Sequence, residues 1–238
     1  MKYSPTRIAG VTIVDIEPTS DHRGFVSQSF SAQEFAEIGL MGDVVQTEIL
    51  FNHTRGTVRG LHRQPPPSTE ARLIRCTRGA IAEVVVDLRP ESPSYGDHVI
   101  VELSADNHRA LFVPPHFAHG FQTLRDKTEV SIQISGAQAP SGAEGFRFSE
   151  PEFGIKWPLP VTVISEADAS WPKLAPAGKD VVVKVDVDRL LAERSTCDPP
   201  AIMARPVRWP VHLSEYGSPS GTRFAMDDLR HHHETGSA

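Results

Sequence analysis

Cysteine is scarce: the 238 residues contain two, Cys76 and Cys197, far apart and outside any Cys-x-x-Cys pair. A disulfide framework is therefore excluded as the source of stability. Cys76 sits in an apolar, strand-like run and reads as a buried thiol. Long hydrophobic runs are missing too. No stretch approaches the length of a membrane span, and residues 1–10 carry no apolar signal core, so the expectation is a cytoplasmic protein with no membrane partner. Basic blocks are also absent: 24 Lys and Arg stand against 30 Asp and Glu, a net charge of −6, which argues against nucleic acid as a main partner. A local arginine cluster can still hold a nucleotide. What remains is ordinary globular composition, 39% hydrophobic and 23% charged, in a chain long enough to bury a sizeable core without staples.

Short strands separated by turn signals dominate the pattern. Val11–Ile16, Phe25–Phe30, Val44–Phe51, Leu73–Arg75, Ile81–Asp87, His98–Leu103, Ala110–Val113, Phe121–Leu124 and Val130–Ile134 all qualify. A short helix is expected from Ala32 to about Ile38, with Ser31 as N-cap and Glu34 completing a capping box. Many short strands at this spacing argue for one barrel or sandwich. Composition changes after about Leu174. Val181–Val185 reads as a peripheral strand, Asp186–Arg194 as a short helix, and Pro199–Ala238 as a peripheral tail. The three successive histidines His231–His233 read as a tag remnant or solvated tail.

The stretch that organises the chain is Arg59-Gly60-Leu61-His62-Arg63-Gln64, followed by a proline loop. An imidazole can take a proton from carbon next to a carbonyl, because it titrates near operating pH. Guanidinium groups can hold a phosphate or an enolate oxygen through planar forks of donors. Three other segments combine titratable and aromatic residues: Val84–Arg89, which ends an apolar strand with an acid and a base; Phe112–Phe121, with His116 and His119 around an aromatic-rich turn; and Ile164–Asp168.

In order and spacing these segments resemble the dTDP-4-dehydrorhamnose 3,5-epimerase family. The matching pieces are DHRGF at 21–25, RGLH at 59–62, VDLR at 86–89, ELSADN at 102–107, PPHFAHGF at 114–121, EPEFGIKWP at 150–158 and SEAD at 165–168. Each is weak alone; the ordered set is specific. The resemblance implies an all-β, cupin-type double-stranded β-helix, a jelly-roll barrel with short peripheral helices, over residues 1–174, with an extension over 175–238. It implies a metal-free, cofactor-free isomerase and usually a homodimer. His62 would be the base and Asp168 its partner. Arg23, Gln46, Arg59, Arg72 and His119 would hold a nucleotide sugar, Arg23 by reaching the neighbouring subunit's site.

Departures from the family pattern are equally specific. The general-acid tyrosine falls on Ile132, an aromatic that packs on the base falls on Gln138, a loop acid falls on Ala143, and the usual lysine is Arg72. The stretch before the base reads Gln46-Thr47-Glu48 where the family has Gln-Asp-Asn. The proton-abstracting half is present and the proton-returning half is not recognisable. A single epimerisation at C3 or C5 of a 4-keto-6-deoxy sugar nucleotide is the leading expectation. Two alternatives stay open: isomerisation, elimination or cyclisation of a different keto compound by the same base, and a non-catalytic binding module. The His-x-His pair of metal-binding cupins is broken by Gln64, which leaves only His62, Glu70 and His119 as a loose candidate set.

Overall fold

The computed structural model describes residues 1–138 and 142–174. Val181–Val185, Asp186–Arg194, Cys197, His231–His233 and the expected extension over 175–238 lie outside the described residues.

The elements are β1 (Lys2–Pro5), β2 (Thr12–Asp15), β3 (Thr19–Asp21), β4 (Gly24–Val26), α1 (Ala32–Glu37), β5 (Val44–Asn52), β6 (Val58–Arg63), β7 (Ala71–Arg78), β8 (Ala80–Asp87), β9 (His98–Ser104), β10 (Ala110–Val113), β11 (Phe117–Thr123), β12 (Thr128–Ser135), β13 (Glu144–Gly145) and α2 (Glu166–Ser170). They form a six-stranded sheet, β1-β2-β10-β7-β12-β5, and a five-stranded sheet, β13-β6-β11-β8-β9, with β3 and β4 as a separate hairpin. Neighbouring strands pair antiparallel, and the two sheets face each other as a jelly roll.

Alternation explains which side chains fill the space between the sheets. On β12, Val130, Ile132 and Ile134 are buried while Glu129, Ser131 and Gln133 are only partly so, the period of two expected of a strand with one apolar face. With Ile74, Ile81, Val85, Leu103, Leu111 and Phe121 they make the main core. β8 is buried at every position. Its outer face, carrying Val84 and Val86, is covered by the 146–157 segment through Phe146, Phe153 and Trp157. The outer face of the six-stranded sheet is covered by α1, whose Phe35 is fully buried against Leu73 and Phe112. Burial of such a ring contributes on the order of 2–3 kcal/mol.

Four local features differ from the sequence expectation. β11 begins at Phe117, so Ala118 and His119 stand in a strand rather than a turn; pairing with β6 on one side and β8 on the other fixes their backbone. β6 runs through Gly60 instead of breaking there. Gly60 adopts φ +111°, and a Cβ would lie 2.8 Å from the His119 carbonyl oxygen, so close strand approach and backbone sign both call for glycine. At α1 the Ser31 hydroxyl accepts the Glu34 N–H at 3.2 Å, but the return arm of the capping box is not made. The Glu34 carboxylate instead accepts from the Met1 ammonium and the Tyr3 hydroxyl. The expected strand over Phe25–Phe30 shortens to β4, and Phe30 packs edge-on against Phe35.

Candidate active site

His62 stands on β6 and Asp168 on α2, a single helical turn that Ser165 caps by accepting the Asp168 N–H at 3.1 Å. The cap aims the Asp168 carboxylate back at β6. Its Oδ1 lies 2.7 Å from His62 Nε2, and its Oδ2 accepts the Gly60 N–H at 3.1 Å. The Trp171 indole N–H points at Oδ1 from 3.4 Å, and the Trp171 ring lies against Gly145, where any Cβ would overlap it. Gly145 pairs with His62 across β13 and β6, so one close contact anchors α2 beside the strand that carries the imidazole. Burial pushes the Asp168 carboxyl up, but the Gly60 N–H and His62 outweigh it and hold the group below the usual carboxylate range. An ionised Asp168 accepts from the ring N–H at Nε2, which leaves Nδ1 as the nitrogen able to take a proton.

A second polar group lies deeper. His119 on β11 is opposite His62 in register. Its Nδ1 is 2.8 Å from Glu83 Oε1, and its Nε2 is 2.6 Å from Arg72 Nη1. A guanidinium only donates, so Nε2 accepts, and Nδ1 carries the ring proton and donates to Glu83. Glu83 is fully buried, which drives its carboxyl well above the ordinary value despite the nearby Arg72 charge. Burial, then the Arg72 and His62 charges, push His119 well below its ordinary value. Both shifts favour the uncharged forms, and Glu83 Oε2 is buried with no hydrogen-bond partner. Arg72 is itself held by Glu70 at 2.5 Å.

Both groups open into one cavity of about 310 Å³. Arg59, His62, Arg72, His119, Ser165 and Asp168 supply its polar lining. Leu50, Ile132, Val163 and Ile164 make an apolar wall. Arg59 Nε donates to Asn52 Oδ1 at 2.8 Å, which fixes the guanidinium at the junction of β5 and β6. The Thr57–Val163 bridge closes the wall beside it. The arrangement presents an imidazole able to accept a proton, a carboxylate that orients it, two guanidinium groups able to hold an oxyanion or phosphate, and an apolar flank.

His62, Asp168, Arg59, Arg72 and His119 are thus brought together. Gln46 is not in the lining. It lies on β5 toward the open edge and donates to Glu48 Oε1 at 2.6 Å. Arg23 is exposed in the β3–β4 hairpin, ion-paired to Asp21 at 2.5 Å, and does not line the cavity of its own chain. Glu129 is on the outer face of β12, accepting from Thr77. Asp87 and Arg89 pair with each other and with Ser92 and Ser94 away from the cavity. The loose set of His62, Glu70 and His119 is taken up by Asp168, Arg72 and Glu83, and among the described residues no three His, Cys, Asp or Glu side chains form a metal-holding group. Sequence reasoning missed Glu83, Trp171 and the Gly60 N–H. Glu83 stands inside an apolar strand run, and an acid in such a run was the available signal.

The model of the dTDP-4-dehydrorhamnose 3,5-epimerase family matches residues 5–176. A dTDP-4-dehydrorhamnose 3,5-epimerase of Sinorhizobium fredii is 39% identical over 179 residues, 73% of this chain and 90% of its own. A dTDP-4-dehydrorhamnose 3-epimerase of Streptomyces niveus is 33% identical, over 74% of this chain and 86% of its own. The crystal structure of the 3,5-epimerase of Bacillus anthracis with TDP and PPi bound superposes with a TM-score of 0.69 at 34% identity, covering 73% of this chain and 99% of that one.

Proposed function

This chain belongs to the dTDP-4-dehydrorhamnose 3,5-epimerase family, and we propose that it inverts a single carbon, C3 or C5, of a dTDP-4-keto-6-deoxy sugar. It is an isomerase of nucleotide-sugar biosynthesis. The observation that carries the mechanism is the His62–Asp168 pair, 2.7 Å apart, at the mouth of a cavity whose cations are Arg59 and Arg72.

His62 Nδ1 takes the proton next to the C4 ketone. The C–H electron pair passes into the ketone and makes an enolate. Ionised Asp168 steadies the imidazolium that forms. Arg72, aimed by Glu70 and His119, faces the enolate oxygen, and a fixed donor at developing charge is among the larger contributions an enzyme can make. Arg59 at the β5–β6 junction suits the diphosphate, since a guanidinium offers a bidentate fork. Ile132 and Leu50 offer an apolar surface to the C6 methyl. A relative named as a 3-epimerase supports one inversion rather than two, as does a lining with no phenol opposite His62.

The protein acts as a homodimer on this reading. Among the described residues β5 is one unpaired edge of its sheet, and its outer face exposes Val45 (67%), Ile49 (69%) and Phe51 (39%). An apolar, unpaired strand edge is a surface that soluble proteins cover. Arg23 would then reach the neighbouring cavity from the exposed hairpin.

The direct test is incubation of dTDP-4-keto-6-deoxy-D-glucose with the enzyme in D2O, read by proton NMR. Deuterium should appear at one carbon beside the ketone, together with an inverted product. Deuterium at neither carbon would refute the reading.

A further inference from the structure

Inversion needs a proton donor on the face of the carbon away from His62, and we propose that Glu48 is that donor. The inference rests on the His62 reading above. It begins with the cavity itself, where each lining candidate is excluded by its bonds, its chemistry or its side of the site. The His119 nitrogen nearest the cavity accepts from Arg72 and has no proton to give. Arg59 and Arg72 do not release protons in any ordinary pH range. The Thr57 hydroxyl is buried and donates to the Thr54 carbonyl at 2.6 Å. Ser165 lies on the same element as Asp168, on the side of the base. The wall carried by β5 and β12 is Leu50 and Ile132, which hold no labile proton.

Glu48 continues that wall. Ile132 pairs directly with Glu48, as Val130 does with Leu50 and Thr128 with Asn52. Directly paired residues of antiparallel strands present their side chains to one face, with Cα atoms about 4.5–5.5 Å apart. Ile132 and Leu50 line the cavity, and register puts Glu48 on the same face, one step beyond the lining residues and outside the cavity itself. Height agrees. β5 and β6 meet where Asn52 accepts from Arg59. Glu48 is four residues from that junction along one strand and His62 three along the other. At about 3.3 Å per residue both stand roughly 10–13 Å above the junction, on different sheets. A sugar ring entering the mouth passes between them.

The side chain is also held. Gln46, on the same face, donates to Glu48 Oε1 at 2.6 Å and fixes one carboxyl oxygen. Its exposure lets solvent reload it in the open enzyme. In the step proposed, the Glu48 O–H bond breaks and its proton forms the new C–H bond with the enolate electron pair, which restores the C4 ketone. The carboxylate left on Glu48 takes a proton from water, and the His62 imidazolium returns one to water, so the cycle closes without a co-reactant.

The test separates abstraction from delivery. Glu48→Gln keeps size and hydrogen bonding but removes the acid, and Glu48→Asp keeps the acid. Each is incubated with dTDP-4-keto-6-deoxy-D-glucose in D2O, with exchange into recovered substrate and formation of inverted product followed separately. For Glu48→Gln, exchange should continue near the wild-type rate, because His62 returns solvent deuterium to the face it came from. Inversion should fall about 10²–10⁴-fold, the usual worth of a general acid. Glu48→Asp should retain more inversion than Glu48→Gln. Inversion at the wild-type rate in Glu48→Gln overturns the proposal and leaves the His62 reading intact, as does equal loss of exchange and inversion, which would place Glu48 in binding. No exchange in the wild-type enzyme sinks the His62 reading and this one with it.

Discussion

Asp168 Oδ1 lies 2.7 Å from His62 Nε2 across 106 residues of chain. The two meet because β6 carries Gly60, whose N–H donates to the other Asp168 oxygen, while α2 is capped by Ser165 and anchored by Trp171 on Gly145. The carboxylate is therefore fixed in rotation before any substrate arrives.

Loss of either partner should separate base strength from base orientation. His62→Ala should lower kcat by about 10²–10⁴ with the melting temperature nearly unchanged, because the side chain is partly exposed. Asp168→Asn should lower kcat with little effect on KM, since the amide can hold the wrong tautomer. Steady-state kinetics with a thermal melt checks both. A fully active His62→Ala variant would remove the dyad from the mechanism.

Gly145→Ala tests the anchor of α2. The added methyl must displace the Trp171 ring, and with it the indole N–H that reaches Asp168. kcat should drop by roughly 10-fold or more, the scale of a 1.4 kcal/mol loss of orientation. Trp171→Phe, which removes the indole N–H and part of the ring but forces nothing into Gly145, should have the smaller effect. Equal activity of Gly145→Ala and wild type would show that α2 does not depend on this contact.

Glu83 makes a pH prediction. Its folded-state value is raised by burial, so its contribution to stability is complete below the unfolded value, about 4.3, and is lost as pH rises toward the folded value. Glu83→Gln mimics the neutral acid and still accepts from His119. It should be no less stable than wild type at acid pH and more stable at neutral and alkaline pH, with activity largely kept. Melting temperature against pH for the two proteins decides it. A wild-type curve that runs parallel to the variant's would show Glu83 ionised in the fold.

Asp87 has the opposite sign. Burial opposes its ionisation, but Arg89, Ser92 and Ser94 outweigh burial and hold it far below the carboxylate range. Its stabilisation is present above the unfolded value, about 3.9, and is lost as pH falls through the folded one. Asp87→Ala leaves five donor groups of Arg89, Ser92 and Ser94 without their acceptor and should cost on the order of 3 kcal/mol at neutral pH. Chemical denaturation at neutral and strongly acid pH should show the difference shrink in acid.

Ile49→Asp tests assembly. Ile49 is 69% exposed on the outer face of the edge strand. Light scattering should show a dimer for wild type at micromolar concentration and a monomer for the variant. Wild-type protein that runs as a monomer would contradict the dimer.

The sequence by itself determined the strand menu, because alternation and turn residues are local. β10 runs over Ala110–Val113 as read, and β5, β7, β8, β9 and β12 contain their predicted runs with one to three residues added at either end. It also named both residues of the proposed dyad, since RGLH and SEAD are contiguous words legible in the chain. Tertiary structure decided what register and burial decide. His119 stands in a strand because two neighbours bond its backbone, and local signals around Pro114 and Pro115 point to a turn. Glu83 looks like a stray acid in an apolar run until β11 places His119 against it. Glu48 lies far from the organising stretch in pattern, and only the pairing of β5 with β12 puts it beside Ile132 on the wall that faces the base. One-residue shifts in that pairing would turn it outward, so no reading of the chain alone could have located it.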